Sequence, residues 1–494
     1  MGNISGRLIK GSAWLSAARA VVNALSVLST VLLARLLVPA DFGVVTLATT
    51  MLMIMTSVTE LSLASALIRH SAPSRSHFDA AWTLNALRGL VLGGLFAAGG
   101  GLAANLYNDP RLIGVMVALG FSVFLSGLTN PRSIMLQRDL IFWQEFVLNV
   151  SQKLAGVIVS IAIAYYYRSY WALVIGTLVM QATNVIVSYT ILPFRPRVSF
   201  QHLKELLSFS VWLTAGQIIN TLNWRFDYLL LGKGLGMVAL GHYSVGGNLA
   251  QIPTRETTAP LTKVIFPGFA SIQEDRPRLA AAYQRAQSLV TALALPAGIG
   301  AALIADPLIR LTMGEKWTPV IFVIQVLAAV FALQTLGSLS EPLGMANGQT
   351  RLLFVRNLQM LVIRVPLIVA GMLLGGLKGV VIARVISGVV SIFFAMRLVR
   401  RWTGLNLREQ LSANIRAFVS VAMMAAGVVL VSPYLTHKAD PASLAIKIAV
   451  MVLLAALIYF GTTLLLWILM NKPAGPEREV QQLIGKLRAK LRAA

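Results

Sequence analysis

The chain has 494 residues, of which 57% are hydrophobic and 12% are charged. Soluble domains carry about 25% charged residues, so this composition excludes a water-soluble fold and predicts an integral membrane protein. The 42 Lys and Arg outnumber the 18 Asp and Glu, and the absence of cysteine excludes disulfides, thiolate metal sites and cysteine nucleophiles. No polar block is long enough for a soluble catalytic domain, so we do not expect an enzyme.

Apolar stretches long enough to cross a bilayer as helices recur along the whole sequence. In chain order we place spans near residues 12–36, 42–66, 80–104, 112–136, 144–166, 170–192, 207–231, 238–266, 282–305, 318–344, 353–375, 379–399, 414–433 and 443–470. The predicted fold class is therefore all-α, a polytopic membrane protein of about fourteen transmembrane helices. An even number of spans leaves both termini on one side of the membrane.

An internal repeat divides the first twelve spans into two sets of six. Trp14 opens the first span and Trp212 opens the seventh, 198 residues later, and the joints at 38–43 and 236–243 align at the same offset within a residue or two. We interpret residues 1–194 as an N-terminal six-helix bundle, 195–205 as a cytoplasmic connection and 206–402 as a C-terminal six-helix bundle. Two related bundles are typical of transporters that work by alternating access.

The rest of the chain extends this plan. Residues 403–471 contain two additional transmembrane helices. Residues 472–494 form a basic tail in which apolar residues recur at helical spacing. We expect this tail to be a cytoplasmic amphipathic helix that lies on the anionic lipids of the inner leaflet.

Basic residues are distributed unevenly between the two sides that this order of spans defines. Most fall in connections on the side of the N-terminus, and the opposite side carries only Arg111, Arg168, Lys233, Arg310, Lys316, Lys378 and Lys438. Cytoplasmic loops of membrane proteins collect Lys and Arg. The sequence therefore predicts that both termini are cytoplasmic, and the excess positive charge does not indicate binding to nucleic acid.

Ionisable residues inside spans are the candidates for function, because each costs several kcal/mol unless it faces a wet cavity or a partner. They are Arg19, Arg35, Glu60, Arg88, Glu145, Lys153, Arg225, Asp227, Glu341, Arg364 and Arg384. Three of them, Arg35, Lys153 and Arg384, are interpreted as snorkelling to a nearby span end.

Three groups of polar residues within spans predict a substrate site. They are Arg19 with Asn23 on the first span, Arg88 with Asn85 on the third, and the stripe Gln217, Asn220, Asn223 and Arg225 on the seventh. Guanidinium and amide groups suit an anionic phosphate joined to a hydroxyl-rich group, since arginine binds phosphate in bidentate geometry.

The acidic residues leave more alternatives open. For Arg225, a place in the substrate cavity and a pairing with Asp227 are equally compatible with the sequence, and for Asp227 the pairing is favoured. Glu60, Glu341 and Asp227 are candidates for a coupling-ion site.

Other chemistry is not expected. None of the five histidines forms a His-x-x-x-His or Glu-x-x-His pair, and no phosphate-binding P-loop occurs in the sequence. We therefore expect no metal site, no cofactor and no ATP hydrolysis. The energy for transport must come from an ion gradient, the membrane potential or consumption of the substrate on the far side.

Several motifs resemble those of a known family. Residues 33–43, Leu-Ala-Arg-Leu-Leu-Val-Pro-Ala-Asp-Phe-Gly, followed by residues 61–68, resemble the opening of bacterial polysaccharide exporters, the Wzx-type oligosaccharide flippases. Residues 138–142 and 314–317 resemble two shorter motifs of these proteins. The last two spans resemble the branch with fourteen spans that contains succinoglycan and colanic acid exporters. The superfamily also includes multidrug extruders and lipid II flippases.

The resemblance implies a function. It implies a transporter that moves an undecaprenyl-diphosphate-linked oligosaccharide from the cytoplasmic to the periplasmic leaflet of the bacterial inner membrane, for exopolysaccharide or lipopolysaccharide biosynthesis. It also implies that cationic residues in a central cavity hold the diphosphate, and Arg19 and Arg88 match that role in kind and depth. The implied partners are the lipid-linked oligosaccharide, membrane lipids and a polysaccharide polymerase or other export machinery.

Three other functions are compatible with a membrane protein of this composition. A cation-coupled multidrug extruder needs an acidic cavity, whereas basic residues outnumber acidic ones within the spans. A polysaccharide polymerase or ligase typically needs a large periplasmic loop, whereas the longer polar connections here lie on the cytoplasmic side. A lipid II flippase remains open.

Overall fold

The computed structural model describes residues 2–58, 67, 73–138, 142–201, 211–435, 440–471 and 475–477. Regular structure in these ranges is helical throughout, which confirms the all-α class. Glu60, residues 202–205 of the connection and most of the basic tail lie outside the described residues. By their internal contacts, the residues divide into two compact units, Met1–Gly241 and His242–Ala494.

The first unit contains nine complete helices and the start of a tenth among the described residues. They are α1 (Gly2–Leu36), α2 (Pro39–Val58), α3 (Arg75–Ala98), α4 (Gly100–Tyr107), α5 (Arg111–Gly127), α6 (Ser133–Arg138), α7 (Phe142–Tyr167), α8 (Trp171–Ile191) and α9 (Val211–Gly234), followed by α10 (Gly236–Ala270), whose first turns belong here. The local sequence determines where two of these helices begin or end. Pro39 opens α2, a position where its missing N–H costs nothing, and Asn108 ends α4 in the left-handed conformation.

The second unit holds the rest of α10 and seven further helices within the described ranges. They are α11 (Arg276–Thr312), α12 (Thr318–Gln334), α13 (Ser340–Ala346), α14 (Thr350–Thr403), α15 (Leu407–Ser412), α16 (Ile415–Val431) and α17 (Pro441–Leu469). Asp275 caps α11 by accepting a hydrogen bond from the Arg278 amide at 3.0 Å. The hydroxyl of Tyr459 on α17 donates to the Ala292 carbonyl of α11 at 2.6 Å, which ties one of the two additional helices to this unit.

Ten helical segments of the described chain are both long and apolar enough to cross a membrane. The other predicted spans also lie on helices. Residues 111–127 form a shorter apolar helix, and α9 and α10 have spanning length. The 54-residue α14 reverses at Gly375 and Gly376, where Gly376 has a φ of 54°, so it supplies two of the predicted spans.

A reciprocal contact joins the first turns of α2 and α10 inside the first unit. A Cβ atom on Gly43 would lie 1.9 Å from the carbonyl oxygen of Met237, and one on Gly241 would lie 1.9 Å from that of Pro39. Pro39 and Met237 are 198 residues apart, as are Gly43 and Gly241, which is the offset of the sequence repeat. The two joints therefore pack on each other in equivalent registers, and this symmetry supports the repeat. The division into bundles at 194 and 206 stays a prediction.

Candidate functional site

Arg88 is held on α3, whose first turn is fixed by a capping box between Ser74 and His77. Its side chain is half-buried, and its Nη2 donates to the Thr56 carbonyl of α2 at 3.1 Å. Asn85, one turn earlier on the same helix, is also half-buried. The guanidinium is therefore partly withdrawn from solvent, with an amide one turn away on the same helix, and both groups can hydrogen-bond to a phosphate.

Arg19 and Asn23 lie one turn apart on α1, and both side chains are half-buried. The helix is continuous from Gly2 to Leu36, so the cation sits well inside it and not at a frayed end. α1 packs along α7. This placement agrees with the predicted depth of Arg19, while its role in binding stays a prediction.

The polar stripe of α9 covers a range of environments. Gln217 is exposed, Asn220 is half-buried and Asn223 is buried. The guanidinium of Arg225 lies over the Tyr228 ring, 5.4 Å from its centroid. The stripe thus runs from an exposed amide to a buried one, with a partly buried cation at its inner end.

Asp227 is buried, and its Oδ1 accepts a hydrogen bond from the Tyr228 amide at 3.2 Å. Glu341 is exposed on α13 and acts electrostatically on Arg356, which also donates to the Ser340 hydroxyl at 2.8 Å. The described part of the chain contains no cluster of acidic or histidine side chains that could hold a metal ion. Roles for Asp227 and Glu341 as coupling-ion sites stay predictions.

The three predicted cations all belong to the first unit. α2 packs against both α9 and α3, so it lies between the helices that carry Arg225 and Arg88, and Arg88 bonds to it directly. Arg19 is on α1, which packs mainly against α7.

One interpretation of a span end was wrong. Arg35 is exposed, as snorkelling requires, but Arg384 is only 5% exposed and is buried in the second unit. Lys153 is half-buried and lines a half-open pocket among α1, α7 and α8, together with Phe42 at the start of α2. Distance along the sequence to a span end does not reveal which face of the helix a side chain occupies, and the Arg384 side chain faces protein.

The structure also reveals a charged cluster that sequence reasoning did not assemble. Asp109 precedes α5, and Arg111 contacts it with its Nε at 2.9 Å and its Nη2 at 2.7 Å. The same guanidinium lies 4.0 Å from Asp41 at the start of α2. Burial would raise the pKa of Asp109, but its hydrogen bonds with Arg111 and the positive charge of that residue outweigh burial and lower it. Asp41 belongs to the motif at residues 33–43 that resembles the polysaccharide exporters. This motif was the sequence feature from which a role for Asp41 could have been predicted.

Asp41 has a local role as well. Its Oδ2 accepts a hydrogen bond from the Val38 amide at 3.2 Å, which satisfies a donor at the beginning of α2. The Tyr170 ring lies 5.8 Å from the Arg111 guanidinium carbon. The cluster therefore anchors the start of α2 to the connection between α4 and α5.

Comparisons with known proteins agree with this architecture. Residues 32–322 match the family described as polysaccharide biosynthesis protein. The lipopolysaccharide biosynthesis protein WzxC of Escherichia coli is 25% identical, over 79% of this chain and 81% of its own. The teichuronic acid biosynthesis protein TuaB of Bacillus subtilis is 23% identical, over 93% of this chain and 95% of its own.

Solved structures of transporters share the fold. The lipid II flippase MurJ in an inward closed conformation superposes with a TM-score of 0.73 at 13% identity, over 92% of this chain and 99% of its own. An inward-facing multidrug transporter of the MATE family gives a TM-score of 0.60, again at 13% identity, over 77% of this chain and 94% of its own. At these identities the likeness shows the fold alone. The family match covers more than half of the sequence, and the chain belongs to the polysaccharide biosynthesis protein family of multi-pass membrane proteins.

Proposed function

We propose that this protein is a flippase that moves an undecaprenyl-diphosphate-linked oligosaccharide from the cytoplasmic to the periplasmic leaflet of a bacterial inner membrane. Both termini are cytoplasmic in this proposal, as the distribution of basic residues predicts. The observation that carries it is the set of partly buried arginines, Arg19, Arg88 and Arg225, on membrane-spanning helices of a chain in this family. Buried cations without a soluble catalytic domain fit transport of an anion and not an enzymatic reaction.

The arginines define how the cargo binds. A diphosphate offers several anionic oxygens, and guanidinium groups pair with them in bidentate geometry. The amides of Asn23 and Asn85 lie one turn from Arg19 and Arg88, where they can hydrogen-bond to the first sugar or to phosphate oxygens. The polyprenyl chain stays in the bilayer. A cationic drug would meet repulsion from the same residues, which disfavours a multidrug extruder.

Charge-removing substitutions test the proposal. Arg19→Gln and Arg88→Gln should abolish polymer export in a strain that depends on this gene, with normal amounts of protein in the membrane. Arg35→Gln is the matched control, since Arg35 is on α1 with Arg19 but is exposed, and it should export normally. Unchanged export from both Arg19→Gln and Arg88→Gln would overturn the site assignment.

The choice of lipid-linked substrate has its own test. Strains that lack defined flippases, one for a polysaccharide repeat unit and one for lipid II, should be transformed with this gene. Rescue of polymer export without rescue of the lipid II defect is the expected result. Rescue of the lipid II defect alone would replace this proposal with the other substrate.

A further inference from the structure

A cavity of about 220 Å³ lies inside the first unit, separate from the arginines discussed above. It is lined by hydroxyl-bearing residues of α1 and α8, by Ser160 of α7, and by apolar side chains that include Phe42. Lys153 of α7 is the one ionisable residue among the described residues that line it. At about 30 Å³ for each molecule in the liquid, a polar space of this size holds roughly seven waters.

Lys153 lies in the middle of its helix. α7 runs from Phe142 to Tyr167, so 11 residues precede Lys153 and 14 follow it. At about 1.5 Å per residue, the two ends are roughly 16 and 21 Å away along the axis, farther than a lysine side chain extends. The amine therefore stays at the depth of the bilayer interior, where its charge must be stabilised by the cavity.

Three of the five hydroxyls that line the cavity are oriented to accept hydrogen bonds. The Ser26 hydroxyl donates to the Val22 carbonyl at 2.7 Å, that of Thr30 to the Ser26 carbonyl at 2.8 Å, and that of Thr177 to the Leu173 carbonyl at 2.9 Å. Because each hydroxyl hydrogen is used within its own helix, the oxygen offers lone pairs to the cavity. An ammonium has three donors and no acceptor, so these oxygens suit a protonated amine and give no donors to an anion.

Other charges do not line this cavity among the described residues. The remaining titratable or basic residues with described side chains on the surrounding helices are Arg19 and Arg35 on α1, Asp41 on α2, Glu145, Tyr165, Tyr166 and Tyr167 on α7, and Tyr189 on α8. The carboxylate of Asp41 lies near Arg111. Lys153 thus shares the pocket with neutral hydroxyl groups, an arrangement in which losing the proton removes a partly buried charge without leaving an unpaired carboxylate.

We propose that this cavity is a proton-binding site, in which Lys153 takes up and releases one proton during each transport cycle. Release breaks one N–H bond of the ammonium, leaves the electron pair on the amine nitrogen and passes the proton to cavity water. Uptake reverses the step. Lysine suits this role because, unlike arginine, it can lose its proton within a protein. The inference rests on the proposed function, because it makes the pH gradient the driving force for moving the lipid-linked cargo.

Transport by purified protein in vesicles tests the coupling. The probe is a fluorescent undecaprenyl-diphosphate oligosaccharide, assayed with equal pH on both sides and with an imposed gradient of about two pH units. The gradient should accelerate the wild type several-fold, and Lys153→Arg and Lys153→Gln should flip the probe at the same rate with and without the gradient. Lys447→Gln, which removes a half-buried lysine of α17, should respond like the wild type. Retained acceleration in Lys153→Gln, or dependence on chloride in place of the pH gradient, would overturn the proposal.

A measurement without substrate separates failure of this site from failure of the flippase function. In the full-length protein in lipid bilayers, solid-state NMR of 15Nζ-labelled lysine reports neutral and charged amines as distinct signals, and Lys153→Arg identifies the signal of Lys153. We expect the neutral-amine signal of Lys153 to appear at a pH at which the other lysines still give charged signals. An amine that stays charged up to the ordinary lysine pKa of about 10.4 would contradict the proposal, whatever cargo the protein carries.

Discussion

The two joints at the starts of α2 and α10 are related by the repeat, and they differ in one respect. Both bring a glycine against the other's backbone, Gly43 against Met237 and Gly241 against Pro39. Only the first carries a charge, because Asp41 corresponds to Ala239 at the offset of 198 residues. The close approach is thus the shared feature, while the ion cluster with Arg111 is present on one side only. Close packing here requires glycine at both positions, whereas the cluster requires just one acid.

Substitution of the two glycines at the joints should have the largest effect on stability. Gly43→Ala and Gly241→Ala each place a methyl group 1.9 Å from a carbonyl oxygen, so the helices must separate. We expect each to destabilise the protein by about 1–3 kcal/mol or more, by similar amounts because the contact is reciprocal, and to reduce export. Thermal unfolding in detergent and polymer export measure the two outcomes.

Gly94→Ala on α3 is the matched control, since a Cβ atom added at Gly94 would have no neighbouring atom within 4 Å. It should leave stability unchanged or raise it slightly, because alanine favours a helix. Wild-type stability of both joint variants would show that the helices do not approach as described. A large loss of stability in only one of the two joint variants would show that the two joints are not equivalent.

Removing the charge of Arg111 should have the next largest effect on stability. Arg111→Gln leaves the nearly buried Asp109 carboxylate without its charged donor, and we expect a loss of about 1–3 kcal/mol. Arg310→Gln is the control, because Arg310 pairs with Asp306 in an exposed (i, i+4) arrangement, which is worth less than about 1 kcal/mol. Equal losses of stability in the two variants would mean that burial does not strengthen the interaction between Arg111 and Asp109.

A smaller effect should follow from making the first joint resemble the second. Asp41→Ala copies the residue found at 239 and removes the hydrogen bond to the Val38 amide. Loss of such a terminal hydrogen bond costs about 1 kcal/mol, and export should persist because the glycine contact is intact. Chemical denaturation of the purified protein measures the cost. Loss of export at normal protein levels would mean that the charge is needed for transport as well as for stability.

The smallest effect is the dependence on pH. The pKa of Asp109 is lower in the folded protein than in the unfolded chain, so its contribution to stability is fully present above the unfolded value of about 3.9. It is lost as the pH falls through the lower folded value. The melting temperature of the wild type should therefore approach that of Asp109→Asn in this acidic range. Melting temperatures that stay equally far apart from neutral pH down to about pH 3 would contradict the assignment.

Much of the fold could be predicted because its determinants are local. Apolar runs of about 20 residues, together with Pro39 at a helix start, fix where helices lie without reference to the rest of the chain. The reversal inside α14 was also predictable, since a gap between two spans falls at Gly375 and Gly376.

The site was less predictable because it depends on which face of a helix meets which neighbour. Arg384 was assigned to a span end from its position, yet it is buried within the second unit. The cluster of Asp41 with Asp109 and Arg111 joins distant parts of the sequence through tertiary packing alone. Arg19 and Arg88 could be singled out because a charge within a span has a cost that the sequence itself reveals.

Flipping by the purified protein is the most direct test of the proposed function. Vesicles that contain the wild type or the Arg19→Gln/Arg88→Gln double variant should be loaded with a fluorescent undecaprenyl-diphosphate oligosaccharide, and exposure of the label in the opposite leaflet should be followed over time. We predict transfer well above that of protein-free vesicles for the wild type, and transfer at the protein-free rate for the double variant at equal protein density. Equal rates for the wild type and the double variant would contradict the central claim that buried arginines carry the diphosphate.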